Sequence, residues 1–383
     1  MRDIKITNFR CYEDKYMEFS RGVNLLIGDN SAGKTSLLHA CNHVINSYFS
    51  GYSDDNTVWK SAEDKDFRNT GIGEQPIEIA FHLSDADLLP VIVDGTPSCA
   101  IAADEELKVQ KNSKKNSRNL VSGLKHLKDY AHLLQKHSHR IDQNKNIVQD
   151  NTLPLFACFS TEDIHTVRNF DKDKFKNLNA KPSFGYYECY DCKGLFEYWL
   201  KRLLVLKEAH TGEDEIGTVR NAVAEALGSG GCDIISDMEV RVNDGAVYFR
   251  YTDGRFTEAS LLSDGYRRLV NIIMDIAFRC ALLNKVKFGT ECCKHTHGTV
   301  IIDEIDEHLH PALQVRILKS LQRTFPKIQF IISTHSPLVM SSLEPCFDEE
   351  GENINVVYKL LFEDGRYLHH ELKTFGMDAT TII

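Results

Sequence analysis

The sequence predicts an α/β protein built around a parallel β-sheet. Short apolar runs at residues 23–27, 299–302 and 329–332 are typical of strands buried on both faces. Polar residues follow each run directly, and the first run leads into a glycine-containing turn. Because parallel sheets bind ligands beyond the carboxyl ends of their strands, we expect these three polar groups to converge on one site.

The first polar group is a phosphate-binding loop. The segment GDNSAGKTS at residues 28–36 fits the pattern G-x-x-x-x-G-K-[ST] at every specified position. Such a turn directs backbone N–H groups and a helix N-terminus at an anion. We expect Lys34 to reach the outer phosphates of ATP and the Thr35 hydroxyl to bind Mg²⁺. The candidate nucleotide-binding residues of the loop are Gly28, Asp29, Asn30, Ser31, Ala32, Gly33, Lys34, Thr35 and Ser36.

The other two polar groups supply candidate catalytic residues. Asp303 and Glu304 follow the second strand, and His335 follows the third within the segment STHSP. Asp303 suits the Mg²⁺ shell, while Glu304 suits the orientation or deprotonation of the water that attacks the γ-phosphate. His335 is predicted to contact that water or the γ-phosphate. The alternative for each residue is a structural role in a turn.

The order of these motifs resembles that of ABC-type ATPases. LLSDGYRRL at residues 261–269 looks like their signature motif, with Ser263 and Gly265 at its key positions, and NFR at residues 8–10 resembles the amino-terminal strand of RecF, SMC and OLD-like ATPases. Ser263 also stands at the predicted N-cap of an amphipathic helix. The resemblance implies that this helix end closes over the ATP of a second copy, in a homodimer or higher homo-oligomer. The alternative is an ordinary capped core helix. The apolar face predicted for the helix after Ser263 consists of Leu269, Ile272, Ile273, Ile276, Ala277, Cys280 and Leu283.

A narrower resemblance links the chain to bacterial antiphage defence. LSDGYRRL, IDEIDEHLHP, FPKIQFIISTHSP and the closing TFGMDATTII look like the defence ATPases typified by PtuA of Septu and by retron-associated systems. The resemblance implies regulation of a separate nuclease, of HNH type, or of a toxin. Two departures stand out. The segment LFACFSTED at residues 155–163 lacks the glutamine that the family has in this loop, so the glutamine-loop ligand stays unassigned. Only 47 residues follow Ser336, too few for the nuclease domain of OLD-type relatives.

The chain is expected to form one ABC-type ATPase domain over residues 1–383. Within it we predict a mixed sheet, a basic helical insertion at residues 84–150, a helical lobe at residues 151–230 and an antiparallel meander at residues 238–256. The meander prediction rests on alternating apolar residues and on the turn signals Asp244-Gly245 and Asp253-Gly254. A further hairpin is predicted around Asp364-Gly365.

The composition is that of a soluble cytoplasmic protein. The 383 residues are 42% hydrophobic and 26% charged, with no apolar run of the ~20 residues that a membrane span requires. Eleven cysteines are interpreted as reduced thiols. A zinc site is the less favoured alternative for one set of residues. That set is Cys189, Cys192, Cys292, Cys293, His295 and His297.

Charge is distributed unevenly along the chain. Residues 108–145 contain ten Lys and Arg against two Asp, a local charge of +8 within a net charge of -10. This segment is either a solvated surface or a contact for DNA or RNA phosphates. It therefore leaves open a DNA-repair or chromosome-maintenance ATPase that binds nucleic acid directly. A nucleotide-sensing scaffold with little turnover is a third hypothesis beside the defence ATPase.

Overall fold

The described residues form a mixed six-stranded sheet, a four-stranded sheet and smaller antiparallel sheets. A computed structural model describes residues 1–52, 59–68, 75–84, 87, 89–99, 101–102, 104–116, 118–161, 182–192 and 195–377. Its strands are β1 (Asp3–Phe9), β2 (Tyr12–Glu18), β3 (Val23–Ile27), β4 (Ile77–His82), β5 (Val91–Val93), β6 (Thr96–Cys99), β7 (Leu107–Lys111), β8 (Arg140–Ile141), β9 (Ile147–Val148), β10 (Leu155–Phe159), β11 (Ile235–Arg241), β12 (Ala246–Tyr251), β13 (Phe256–Glu258), β14 (Gly298–Ile302), β15 (Ile328–Ser333), β16 (Val356–Glu363) and β17 (Arg366–Leu372). Its α-helices are α1 (Lys34–Ser47), α2 (Lys125–Lys136), α3 (Phe196–Glu208), α4 (Glu213–Leu227), α5 (Asp264–Phe288), α6 (Cys292–His295), α7 (Pro311–Gln314), α8 (Ile317–Thr324) and α9 (Pro337–Ser342).

The six-stranded sheet has the order β10-β14-β15-β3-β16-β17. Its first five strands pair in parallel, and β17 is antiparallel to β16. Every residue of β3, β14 and β15 is buried, as their largely apolar sequences predict, and the burial includes the polar residues Asn24, Thr299 and Gln329. The predicted mixed sheet is therefore present, and its three central strands end at the same edge.

Helix α5 is the longest helix among the described residues, with 25 residues. All seven residues of its predicted apolar face are fully buried. The opposite face is also buried, including Val270, Met274 and Phe278, so the prediction of a one-sided helix was too narrow. Asp275 is satisfied inside this packing, since the Trp199 indole and the Arg279 guanidinium donate to its carboxylate over 2.6 Å each. The helix is therefore an internal helix that is buried on both faces rather than a surface helix.

The amino-terminal strands form a separate four-stranded sheet with the order β2-β1-β4-β7. Strand β7 lies within the basic segment and pairs with β4, so the predicted helical insertion at residues 84–150 was only partly right. Helix α2 is present, and Leu124, Leu127, Ala131 and Leu134 are buried. The other described elements of this segment are mainly the strands β5 to β9. In β7 alternate residues are buried and complete the four-stranded sheet, which the sequence did not reveal.

Two lysines of the basic segment make contacts within the chain. Lys108 forms ion pairs with Glu78 and Glu106. Lys111 is 5% exposed, and its ammonium donates to the Ala62 carbonyl over 2.5 Å. These two lysines are therefore structural, and a nucleic-acid surface on this segment would depend on its other cations.

Two antiparallel elements follow the predictions. Strands β11, β12 and β13 form the expected meander, and β16 and β17 form the hairpin that turns at Asp364-Gly365. Residues 378–383 of the closing segment TFGMDATTII lie outside the described residues. Among the described residues, none of the helices has the length and apolar character needed to cross a membrane.

Among the described residues, eight cysteines are free, as expected of reduced thiols, and one pair differs from that expectation. Cys158 and Cys192 form a disulfide. Burial raises the pKa of Cys189 to about 12, so that side chain remains a thiol. Cys292 and Cys293 are buried in α6. Within the described ranges, His, Cys, Asp and Glu side chains form no group of three placed to hold a metal ion, so the structure does not join the residues of the zinc hypothesis.

Candidate nucleotide-binding site

The phosphate loop connects β3 to α1 and depends on two glycines. Gly28 has φ of +141° and Gly33 has φ of +94°, both in the region that favours glycine. A Cβ atom at Gly28 would also lie 2.3 Å from the carbonyl oxygen of Leu360 on β16. Asp29, Asn30 and Ser31 are exposed on the loop. The loop is thus held tightly at its base and is open to solvent at its tip.

The N-terminus of α1 is free to bind an anion. The helix starts at Lys34, its N-cap Gly33 provides no side-chain cap, and its first turn carries no acidic residue. The first N–H groups of a helix have no partner within that helix, and the aligned peptide dipoles favour negative charge there. These features fit the phosphates of a nucleotide.

Lys34 lies folded against the loop. Its ammonium donates to the carbonyl of Gly28 over 2.6 Å and to that of Asp29 over 3.0 Å. Burial lowers the pKa of Lys34, and the negative charges of Asp303 and Glu304 oppose this shift. Phosphate oxygens are stronger partners for an ammonium than peptide carbonyls, so this side chain is suited to exchange one set for the other.

A chain of hydrogen bonds joins the ends of the three central strands. The Thr35 hydroxyl donates to Asp303 Oδ2 over 3.3 Å. The Ser333 hydroxyl donates to Asp303 Oδ1 over 2.5 Å and accepts the backbone N–H of Glu304 over 2.8 Å. The predicted residues of β3, β14 and β15 therefore meet at one edge. Ser333 was not among the predicted site residues, although it is the first polar residue after the apolar run of β15.

The arrangement fits Mg²⁺, which prefers oxygen ligands and retains bound waters. Thr35 and Asp303 offer a hydroxyl and a carboxylate oxygen within 3.3 Å of each other, beside the phosphate loop. Both are the residues predicted to bind the metal. Their oxygens are hard donors of the kind that hold Mg²⁺ together with nucleotide phosphates.

Glu304 lies next to this pair in an unusual backbone conformation. Its φ is +49°, in the left-handed region that side-chain-bearing residues rarely adopt. Burial raises the pKa of Glu304, and the neighbouring Asp303 carboxylate raises it further. A raised pKa makes a carboxylate a better proton acceptor near neutral pH. The Nε2 atom of His335 lies 4.0 Å from Glu304 Oε1, so the two predicted catalytic residues are neighbours.

Asp306 positions the histidine turn. Its carboxylate accepts the Thr334 hydroxyl over 2.5 Å and the His335 backbone N–H over 3.2 Å. The sequence analysis did not assign Asp306. The available signal was its position in DEIDEHLHP, three residues after Asp303, on the turn that must pass beside β15.

Ser263 and Gly265 lie at the N-terminus of α5. Ser263 is the N-cap residue, but its hydroxyl makes no capping hydrogen bond and is exposed. Leu261, just before it, is 74% exposed. Gly265 is buried against the backbone of His308, since a Cβ atom at position 265 would lie 2.3 Å from the His308 carbonyl oxygen. The helix tip therefore packs on one side against the turn of residues 303–308, called the acidic turn below, and presents Ser263 to solvent.

A buried arginine links this tip to the acidic turn. Arg268 is fully buried. Its guanidinium donates to Glu307 Oε2 over 2.7 Å and to the carbonyls of Asp303 and Glu304 over 2.7 and 3.0 Å. Bonds to three acceptors fix the orientation of a planar guanidinium, so α5 and the turn are held in one arrangement.

Family comparisons identify the class of the protein. The family described as an AAA ATPase domain matches residues 1–221, more than half of the chain. The chain belongs to this family. A second family, described as an AAA domain, putative AbiEii toxin, Type IV TA system, matches residues 116–341. The two matches together include the phosphate loop and the strands that carry Asp303 and His335.

This AAA ATPase is similar to proteins of retron and Septu systems. It is 25% identical over 434 residues to the Retron Vc95 probable ATPase of Vibrio cholerae serotype O1 biovar El Tor, covering 99% of this chain and 77% of the relative. It is 21% identical over 342 residues to the Septu protein PtuA of Bacillus thuringiensis, covering 88% and 72%. An Smc head bound to the C-winged helix domain of ScpA shares the fold, with a TM-score of 0.50, 13% identity and 97% coverage of both chains. The predicted ABC-type fold and family resemblance are confirmed.

Proposed function

We propose that this AAA ATPase binds ATP with Mg²⁺ at the common edge of β3, β14 and β15 and hydrolyses it. The observation that carries the proposal is the hydrogen-bonded chain from Thr35 through Asp303 and Ser333 to the Glu304 backbone. It brings a phosphate loop, a candidate metal ligand and a candidate base together from three strands that are distant in sequence.

In this proposal Glu304 accepts a proton from the attacking water. Its raised pKa suits that task, and the Ser333 hydroxyl holds its backbone N–H. Lys34 leaves the loop carbonyls for the phosphate oxygens and offsets their charge. His335, fixed through its backbone by Asp306, orients the water or the γ-phosphate. Bound Mg²⁺ would supply charge neutralisation on the phosphates, with Thr35 and Asp303 holding it.

A second copy of the chain is proposed to complete the site. Ser263 is exposed at the tip of a long helix and does not cap that helix itself. An uncapped helix N-terminus favours an anion, and the phosphates in one copy's loop are the anion that a neighbouring copy meets in a head-to-tail dimer. Hydrolysis would then depend on dimerisation around two nucleotides.

The proposed role is regulation of a separate nuclease, of HNH type, or of a toxin in bacterial antiphage defence. Support comes from the similar proteins described above, which are named for retron and Septu systems. The second matching family is described by a putative toxin of a toxin-antitoxin system. Under this proposal the nucleotide state of the dimer determines whether the effector is active.

The decisive test is Lys34→Ala, with Lys125→Ala as the matched control because Lys125 is an exposed lysine on α2. Loss of the Lys34 ammonium is expected to weaken ATP binding by at least ~10²-fold, since a charge-assisted contact to phosphate is removed from a low-dielectric site. Fluorescent-nucleotide titration and phosphate release measure binding and turnover. Analytical ultracentrifugation with Glu304→Gln and ATP measures dimerisation. Equal ATP affinity in both lysine variants would refute the proposed function.

A further inference from the structure

Tyr12 contacts the phosphate loop from a different sheet. It is the first residue of β2, its side chain is fully buried, and its hydroxyl donates to the Gly33 carbonyl over 3.0 Å. Burial raises the pKa of Tyr12, so the hydroxyl keeps its proton and remains a donor. The loop is thus held by a side chain that lies outside both the loop and the sheet that carries it.

This hydrogen bond fixes the peptide group between Gly33 and Lys34, at the N-terminus of α1. The Gly33 carbonyl also accepts the Leu37 N–H over 3.0 Å, as the first bond of α1. Two donors occupy its two lone pairs, and the carbonyl direction is set. Because a peptide is planar and trans, the N–H of Lys34 must point the opposite way, out of the N-terminus of α1. Tyr12 therefore controls the direction of an N–H group in the anion site.

Gly33 and Tyr12 fit each other closely. A Cβ atom at position 33 would lie 2.5 Å from the Tyr12 hydroxyl oxygen. The left-handed φ of Gly33 and this contact therefore both exclude a side chain at position 33. The phosphate-loop pattern specifies Gly33, but it has no position for Tyr12, which packs against that glycine.

The carboxyl-terminal hairpin in turn holds Tyr12. The rings of Tyr12 and Tyr367 pack edge to face with centroids 5.1 Å apart. Lys15, also on β2, donates to the Tyr367 carbonyl over 3.1 Å and lies 3.0 Å from His369 Nδ1. Tyr367 and His369 belong to β17, at the edge of the six-stranded sheet. A continuous set of contacts thus runs from this edge strand to the phosphate loop.

We propose that Tyr12 is a positioning residue for the phosphate loop and that the β16–β17 hairpin holds it in place, so that the hairpin adjusts nucleotide affinity. This inference rests on the proposed ATP site. The hydroxyl of Tyr12 acts on binding through the Gly33–Lys34 peptide and takes no part in the chemical step. A change at the exposed β17 edge would therefore alter ATP affinity before it alters turnover.

Tyr12→Phe tests the inference, with Tyr16→Phe as the matched control. Tyr16 lies on the same strand, is 50% exposed and donates to Glu18. Loss of one neutral hydrogen bond corresponds to a rise of about five-fold in the Kd for ATP, measured by fluorescent-nucleotide titration. KM should rise by a similar factor while kcat at saturating ATP stays unchanged, as expected when ground-state binding alone is lost.

Tyr367→Leu is the second variant, and it keeps the test decisive if Tyr12→Phe fails to fold. Removal of the ring that packs on Tyr12 should raise the Kd for ATP by about two-fold, and the double variant should show less than the product of the two effects. Equal Kd values for Tyr12→Phe and Tyr16→Phe, with Lys34→Ala still defective, would overturn the positioning role alone. A fall in kcat with KM unchanged would also overturn it. Normal ATP binding by Lys34→Ala would instead refute the site itself.

Discussion

The common edge of β3, β14 and β15, called the strand-end edge below, differs from the tip of α5 in how its polar side chains are hydrogen-bonded. At the strand-end edge, Thr35, Asp303 and Ser333 satisfy one another across three strands. At the tip of α5, Ser263 is exposed and leaves its helix uncapped. Arg268 joins the two regions through the acidic turn. Residues of this chain alone satisfy the polar groups of the first region, whereas the second would meet another copy only under the proposed function.

Replacement of the candidate base should produce the largest effect and separates the two regions most sharply. Glu304→Gln keeps the size of the side chain but removes the proton acceptor, so kcat for ATP hydrolysis should fall by about 10²- to 10⁴-fold. ATP binding and ATP-driven dimerisation should persist, because Lys34 and Ser263 are unchanged. Phosphate release and ultracentrifugation provide the measurements, with Glu349→Gln as an exposed control. Turnover equal to the control would leave the strand-end edge without its proposed base and favour the nucleotide-sensing scaffold.

Loss of the connecting arginine should have the next largest effect. Arg268→Met leaves the Glu307 carboxylate and two turn carbonyls without their buried donor. The free energy of unfolding should fall by about 2–3 kcal/mol, less than for a fully buried pair because Glu307 is partly exposed. Chemical denaturation measures the loss, and Arg255→Met is the control because Arg255 is an exposed residue. Equal stability of the two variants would show that the tip of α5 and the acidic turn are independent.

A smaller effect is expected from His39, one helical turn beyond Thr35 on α1. Burial lowers the pKa of His39 to about 4, and the positive charge of Arg10 lowers it further. The folded state therefore favours the neutral ring. Above pH ~6.5 the ring is neutral in both the folded and the unfolded state. As the pH falls towards 4, the ring is protonated first in the unfolded state, and the free energy of unfolding falls by about 2 kcal/mol after allowance for partial exposure.

His39→Gln should remove this component of the acid dependence. Urea denaturation at pH 7, 5.5 and 4 measures it, and His210→Gln is the control because His210 is exposed. If the wild type and His39→Gln lost stability in parallel between pH 7 and 4, the low-dielectric environment inferred for this side of the nucleotide site would be wrong.

The sequence predicted the strand-end edge well because its motifs are local. Lys34, Thr35, Asp303 and Glu304 each follow a strand whose apolar run is recognisable, and parallel strands align their ends. Sequence patterns predicted that the strand ends converge, but they do not show which individual side chains form hydrogen bonds across distant segments. The contacts of Ser333 with Asp303, of Arg268 with the acidic turn and of Tyr12 with Gly33 all depend on such pairing. Strand β7 was missed because its five residues lie within the basic segment that was predicted to be a helical insertion.

The position of β3 has a consequence for biosynthesis. This strand, which leads into the phosphate loop, pairs with β15 on one side and β16 on the other. Both partners emerge from the ribosome about 300 residues after it, which at ~5–20 residues per second is a delay of roughly 15–60 s. The apolar segment VNLLI must wait that long without its hydrogen-bonded neighbours. We therefore expect the nucleotide site to form late in synthesis and the nascent chain to need protection by chaperones until it does.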